Sequence, residues 1–151
     1  FTQAVYALAE RNIPVVVHII LGLPGESRET VLRTIDYLNR LPIQGVKLQL
    51  LHVLSDSDLA DLYRAGEYTP LEKEEYLTLV GDCIAHLRAD IVLHRLTGDG
   101  DKNTLLAPLW SLRKRDVLNH LHRYLRENHI RQGMSCKIDL SVIYNKPKDV
   151  L

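Results

Sequence analysis

Two short stretches put polar and conformationally special residues where an α/β protein binds ligands. They are "GLPGES", Gly22 to Ser27, and the run from His94 to Asn103 that holds Arg95, Thr97, Asp99 and Asp101. In the first, Gly22 and Gly25 let the backbone approach a ligand, and the amides opening the following helix can receive an anion or a carboxylate. The same spacing also suits an ordinary tight βα turn. It matches neither GxGxxG nor the phosphate loop, whose Gly-Lys-Ser/Thr is missing. In the second, alternation puts His94 on one face with Leu96 and Arg95 on the other with Thr97. A histidine or arginine buried at a strand's end is costly unless paired or bound to something, which marks this segment for ligand contacts. Between the two lies His52, followed by Ser55, Asp56, Ser57 and Asp58. It reads as a functional imidazole, or as a strand end whose serines and aspartates cap the next helix.

Several chemistries are poorly supported. Asp99, Asp101 and Asn103 imitate the opening of a calcium loop, but Thr104 stands where glycine is needed and Trp110 where the bidentate glutamate belongs. The seven histidines nowhere pair at i, i+4 with a third ligand nearby. The two cysteines, Cys83 and Cys136, are far apart and without CxxC neighbours, which argues against a disulfide framework and for a reducing cytoplasm. Cys83, flanked by Val80, Ile84 and Leu87, reads as a small buried thiol rather than a nucleophile.

The elements that must position these residues follow from periodicity. Phe1 to Arg11 has helical spacing and Asn12 is a left-handed stop. "IPVVVHIIL", Ile13 to Leu21, is apolar almost without alternation, the pattern of a strand buried on both faces. Ser27 caps an amphipathic helix that Leu41-Pro42 closes, and Gly45 to Leu54 is a second strand. A short helix spans Ser57 to Ala65, ending at Gly66. Thr69, Pro70 and Glu72 form a complete helix-start signal for a helix running to about Ala89. Ile91 to Gly98 is a third strand. The last helix, about Ser111 to Ile130, stacks Val117, Leu118, Leu121, Tyr124 and Leu125 on one stripe, with Arg113, Lys114, Arg115, Arg123 and Arg126 opposite. A tail from Gln132 to Leu151 holds a candidate strand, "KIDLSVIY". Parallel strands at about 13–21, 45–54 and 91–98 with covering helices predict an α/β fold, half of a (β/α) barrel, with a small open sheet as the alternative.

At 151 residues, 46% apolar and 25% charged, the chain has the size and composition of one soluble globular domain. Nineteen basic residues balance nineteen acidic ones, so bulk charge points to neither nucleic acid nor a membrane surface. No apolar run approaches the roughly 20 residues that span a bilayer. The start at Phe1, already inside a helix, suggests a fragment.

With the three strand ends in view, the chain resembles the C-terminal half of a radical S-adenosylmethionine (radical SAM) protein. "IILGLPGES" resembles the strand and turn that such enzymes place beside the adenine end of the cofactor. "KLQLLHVL", "LADLYRAGEY", "HRLTGDGDKNTLLAPLW" and "DVLNHLHRYLRE", in that order, are similar to a bacterial Fe–S oxidoreductase branch related to the tRNA-modifying Elongator-type proteins. The resemblance covers residues 1–131, the remainder 132–151 being a tail. It implies a partial TIM-like barrel and an intact enzyme that cleaves S-adenosylmethionine at a 4Fe–4S cluster to release a 5′-deoxyadenosyl radical. It assigns Ile20, Gly22, Leu23, Pro24 and Gly25 to the cofactor, and makes Gln49, His52, His94, Arg95, Thr97 and Asp99 candidates for the substrate wall. The CxxxCxxC loop that holds the cluster is missing, so cluster and first strands would belong to an upstream half of the same protein and this chain alone would be silent. The substrate would be RNA or a small metabolite, with no membrane partner, and an exposed sheet edge would favour a homodimer of the fragment. Two other readings compete: a non-catalytic RNA- or protein-binding module using the basic last helix, and a different barrel enzyme taking phosphate at the Ser27 helix start.

Overall fold

A computed structural model describes residues 1–98, 100–138 and 143. Helix α1 spans Thr2–Glu10, and Asn12 adopts the left-handed conformation expected of a stop (φ 54°). Strand β1 is Val16–Leu21. Helix α2, Arg28–Leu38, starts with reciprocal bonds: the Thr30 amide donates to Ser27 Oγ and the Ser27 amide to Thr30 Oγ1. Strand β2, Gly45–Leu50, follows. The chain then makes a short strand β3, Val53–Leu54, and helices α3, Asp58–Arg64, and α4, Lys73–His86. Strand β4 is Val92–Arg95 and β5 is Leu105–Ala107. A single 3₁₀ turn, Leu109–Leu112, leads into α5, Lys114–Glu127.

The main sheet runs β1-β2-β4, all parallel, in the register Val16↔Gly45↔Val92. Each crossover steps to the next strand in the same direction. Parallel crossovers are right-handed, so helices taken in this order stack on one face of the sheet. The burial agrees: Leu21, Val46, Leu48 and Leu50 meet Val31 and Ile35 of α2, Val80 of α4 and Leu121 of α5 in one core. The other face of β1 is open, with Val16 40% and Ile20 42% exposed and His18 beside them. The expectation of a strand buried on both faces is therefore corrected. The apolar run satisfies a helix layer on one side only, and the parallel α/β fold itself stands.

Tertiary contacts moved several boundaries: β1 begins at Val16 rather than Ile13, and β4 ends at Arg95 rather than Gly98. The second strand does not continue to Leu54: β2 ends at Leu50, and β3 pairs antiparallel with β5 in a separate ribbon that the sequence reading missed. Helix α4 starts three residues after the Pro70 signal, on a capping box formed by Glu72 and Glu75. Thr69 does not cap it, because Leu71 is held elsewhere: its side chain lies over Gly22 and its carbonyl accepts the Trp110 indole N–H at 3.2 Å. The last helix is split into the 3₁₀ turn and α5. The tail strand "KIDLSVIY" lies mostly outside the described residues.

At the end of the sheet where the strands begin, Arg88 is fully buried. Its guanidinium donates to the carbonyls of Asn39 (2.9 Å) and Ile43 (3.4 Å), and Nε lies 3.2 Å from Asp90 Oδ1. Buried Asn39 in turn accepts the Arg88 amide and donates to the His86 carbonyl. Gln132 Nε2 donates to the carbonyls of Arg88 and Ile91. The C-terminal ends of α2 and α4 and the entry to β4 are thus joined by polar groups that have no water to fall back on. Asn39→Ala strands the His86 carbonyl and the Arg88 amide. It should lower stability by about 2 kcal/mol, read as a lower midpoint in urea unfolding with an unchanged slope.

Candidate functional site

The β1–α2 turn is held from two sides. Gly22 (φ 89°) and Gly25 (φ 72°) occupy the region that only glycine enters freely. The amides of Gly22 and Leu23 donate to Glu26 Oε2 at 3.1 and 3.3 Å, and the Gly22 carbonyl accepts the Tyr68 hydroxyl at 2.7 Å. The converging amides thus already hold an anion, the chain's own Glu26 carboxylate. At the Ser27 helix start, where a competing expectation put a phosphate, the Ser27 and Thr30 amides are taken by Thr30 Oγ1 and Ser27 Oγ. What the turn offers outward is its tip, Leu23, Pro24 and Gly25, all exposed, and the Ile20 side chain on the open sheet face just before it.

The strand-end residues are only partly brought together. A Cβ on Gly98 would lie 2.6 Å from His52 Cε1 and 3.1 Å from Gln49 Cγ, so the loop after β4 rests on both side chains only because it carries glycine there. Gly100 approaches the His52 ring as well. Gln49 and His52 therefore form one corner with this loop. His94 does not join it. A bulge between Val46 and Lys47 puts Arg95 rather than His94 opposite Lys47, while β4 itself alternates exposed Val92 and His94 with half-buried Leu93 and Arg95. The His94 ring instead lies over Gly45, at the other end of the sheet, where a Cβ would come within 2.5 Å of Nε2. Thr97 is buried on the helix side, beside Tyr76, Trp110 and Val117, and is not on an open wall. Asp99 lies outside the described residues.

On the far side of the same turn, a cleft of about 430 Å³ opens between α2 and α4 over Val31 and Leu79. The carboxylates of Glu26, Glu74, Glu75 and Asp82 rim it, and Arg28 Nε closes one end on Asp82 at 2.5 Å. That hydrogen bond and charge raise the Arg28 pKa. Sequence reasoning missed Tyr68, whose only local signal was its place in "GEYTP" after a helix-ending glycine.

The molecule is thus a mixed α/β fold, a three-stranded parallel sheet of βαβ units with its helices stacked on one face. The chain belongs to the family described as Radical_SAM C-terminal domain, whose model matches residues 43–127. It is 32% identical over 133 residues to the uncharacterized protein YtqA of Bacillus subtilis (strain 168), a match covering 88% of this chain and 41% of that protein. It is 33% identical over 121 residues to protein YhcC of Escherichia coli (strain K12), covering 80% of this chain and 39% of that one. The chain thus spans about two fifths of the length of these relatives. Among solved structures, an N-terminally truncated Elp3 of Methanocaldococcus infernus superposes with a TM-score of 0.70 at 16% identity, over 86% of this chain and 31% of that one. That likeness shows the fold.

No helix among the described residues is long and apolar enough to cross a membrane, and no group of three or more His, Cys, Asp or Glu there is placed to hold a metal ion. The two cysteines do not fit an iron–sulfur cluster. Cys83 is buried inside α4, and Cys136 sits near the Asn39 amide at 3.7 Å. Burial pushes the Cys83 thiol from its ordinary 9.0 up to about 12, with Asp82 adding to the effect. Because the neutral thiol is the folded form, its contribution to stability is intact below pH 9 and is lost as the pH rises towards 12. Burial raises the Tyr76 phenol in the same sense. At pH 8, Cys83 should resist a thiol reagent in the native protein and react only on unfolding, and a series of urea midpoints should fall from pH 9 upward.

Proposed function

We propose that this chain is the C-terminal portion of a radical SAM enzyme, and that its open sheet face closes against an upstream portion of the same polypeptide that carries the cluster ligands. The observation that carries the reading is the uncovered face of β1, with Val16, His18 and Ile20 outward, in a chain that spans two fifths of its relatives. In such an enzyme the chemistry supplied by S-adenosylmethionine at a 4Fe–4S cluster is abstraction of a substrate hydrogen atom.

The residues here fit the purine end of that cofactor and not the cluster. Ile20 presents an exposed apolar surface beside a turn whose tip is free. Gln49 and His52 supply polar groups at the neighbouring strand end, on the side where substrate would lie. Covering the open face excludes water from both, which protects a radical reaction from quenching. Without the upstream portion the chain is silent, and the exposed β1 edge is available to a second copy. RNA or a small metabolite is the substrate class we assign, in the reducing cytoplasm.

The test is to express the full-length gene product anaerobically, then measure iron content and the paramagnetic resonance of the reduced cluster with and without S-adenosylmethionine. Cluster iron and a spectrum that changes on adding the cofactor are expected, and Ile20→Asp should weaken cofactor binding at least tenfold with iron content unchanged. A product without cluster iron overturns the reading.

A second reading rests on α5. Its outward face carries Arg115, Arg123 and Arg126, continued by Arg131, all exposed. Among the described residues no carboxylate pairs with Arg123, Arg126 or Arg131. As an RNA-docking face it predicts binding that weakens steeply with salt and is lost when those three arginines are made neutral. Binding unchanged in the triple variant leaves α5 as a solvated face.

A further inference from the structure

We infer that Tyr68 is a positioning residue for cofactor binding: it ties the turn after β1 to the β3–β5 ribbon and so fixes where the cofactor turn sits. The inference rests on the reading of that turn as a cofactor contact.

Tyr68 lies in the connection between α3 and α4. Its ring is buried in a small second core with Val53 of β3, Ala60 of α3 and Ala107 of β5. From there its hydroxyl reaches across 46 positions of sequence to the Gly22 carbonyl at 2.7 Å. The other polar backbone group of Gly22, its amide, is taken by Glu26 four residues on. One bond is local and shapes the turn. The other is remote and fixes where the turn sits. Leu71, three residues after Tyr68, presses on the same glycine, with Cδ1 only 3.1 Å from where a Cβ would stand.

The ribbon that anchors the ring begins directly after His52, whereas Gln49 belongs to β2 and is paired with Ile20 in the main sheet. The β1–β2 ladder sets Ile20 beside Gln49, and Tyr68 adds a second hold, on the turn that follows, from the ribbon side. Burial, with the Glu26 carboxylate adding, raises the Tyr68 pKa, so the phenol stays protonated and able to donate.

Tyr68→Phe keeps the ring and its packing and removes only the donor. In the cluster-loaded full-length protein it should weaken S-adenosylmethionine binding roughly 3- to 10-fold, the worth of one net hydrogen bond. Iron content and the cofactor-free cluster spectrum should stay unchanged. Tyr63→Phe, on the exposed face of α3, should bind as the wild type does. A merely structural Tyr68 would leave affinity alone once the protein is folded. A second readout needs no cofactor: amide exchange at Gly22 and Leu23 should quicken in Tyr68→Phe. Equal affinity in variant and wild type overturns the positioning role and leaves the cofactor reading standing, as does unchanged exchange. A wild type that carries its cluster but binds no S-adenosylmethionine overturns both.

Discussion

Two right-handed crossovers taken in the same direction leave a sheet with helices on one side and, among the described residues, an open face on the other. That constraint orders the rest of this molecule. It lets one apolar core gather behind β1, β2 and β4, with α2, α4 and α5 packed in succession over it. It also turns alternate residues of β1 and β4 outward whatever their hydrophobicity, which is why Val16, Ile20 and Val92 are 40%, 42% and 56% exposed. A chain that kept water away from those side chains by itself would need a second helix layer, and a doubly wound order of strands to supply it. This order has none, and the exposed apolar row is the geometric reason a completing segment suits it.

The two ends of the sheet then carry different work. Where the strands begin, Arg88, Asn39 and Gln132 satisfy one another and the carbonyls around them. Where the strands end, close approaches replace charge: Leu71 over Gly22, and Gly98 against His52 and Gln49. Glu26 filling its own turn is the link between them in kind, a polar need met locally so that the tip remains available. The family match, residues 43–127, begins after β1 and ends with α5, so it spans the ribbon and the Gln49–His52 corner but not the turn itself.

Much of the fold was legible in the residues. β1, α2, β2 and β4 stood out because β-branched runs and amphipathic spacing are local signals, and Ser27 and Asn12 punctuated the chain as their chemistry dictates. Pro70 misled because the start of α4 is decided by Leu71 and its contacts with Gly22 and Trp110, which no window of neighbouring residues contains. The β3–β5 ribbon was invisible for the same reason, since two and three residues are too few to show a period. At the site, Gln49 and His52 were two of six strand-end candidates, and it is the structure that brings them together around Gly98. His94 does alternate with Arg95, but its ring lies over Gly45, a cross-strand approach that alternation along one strand does not reveal. Tyr68 was overlooked because its partner is 46 residues away.

The separation between the Arg88 network and the strand-end turns has a consequence for how such a chain changes over generations. The buried Arg88 network sits at one end of the sheet, and the turns proposed to face a ligand sit at the other. Drift in the loops after β2 and β4 can alter what is recognised while the folding threshold is guarded elsewhere. A scaffold divided in this way can diversify its chemistry by loop replacement, with the buried guanidinium as the part least free to vary.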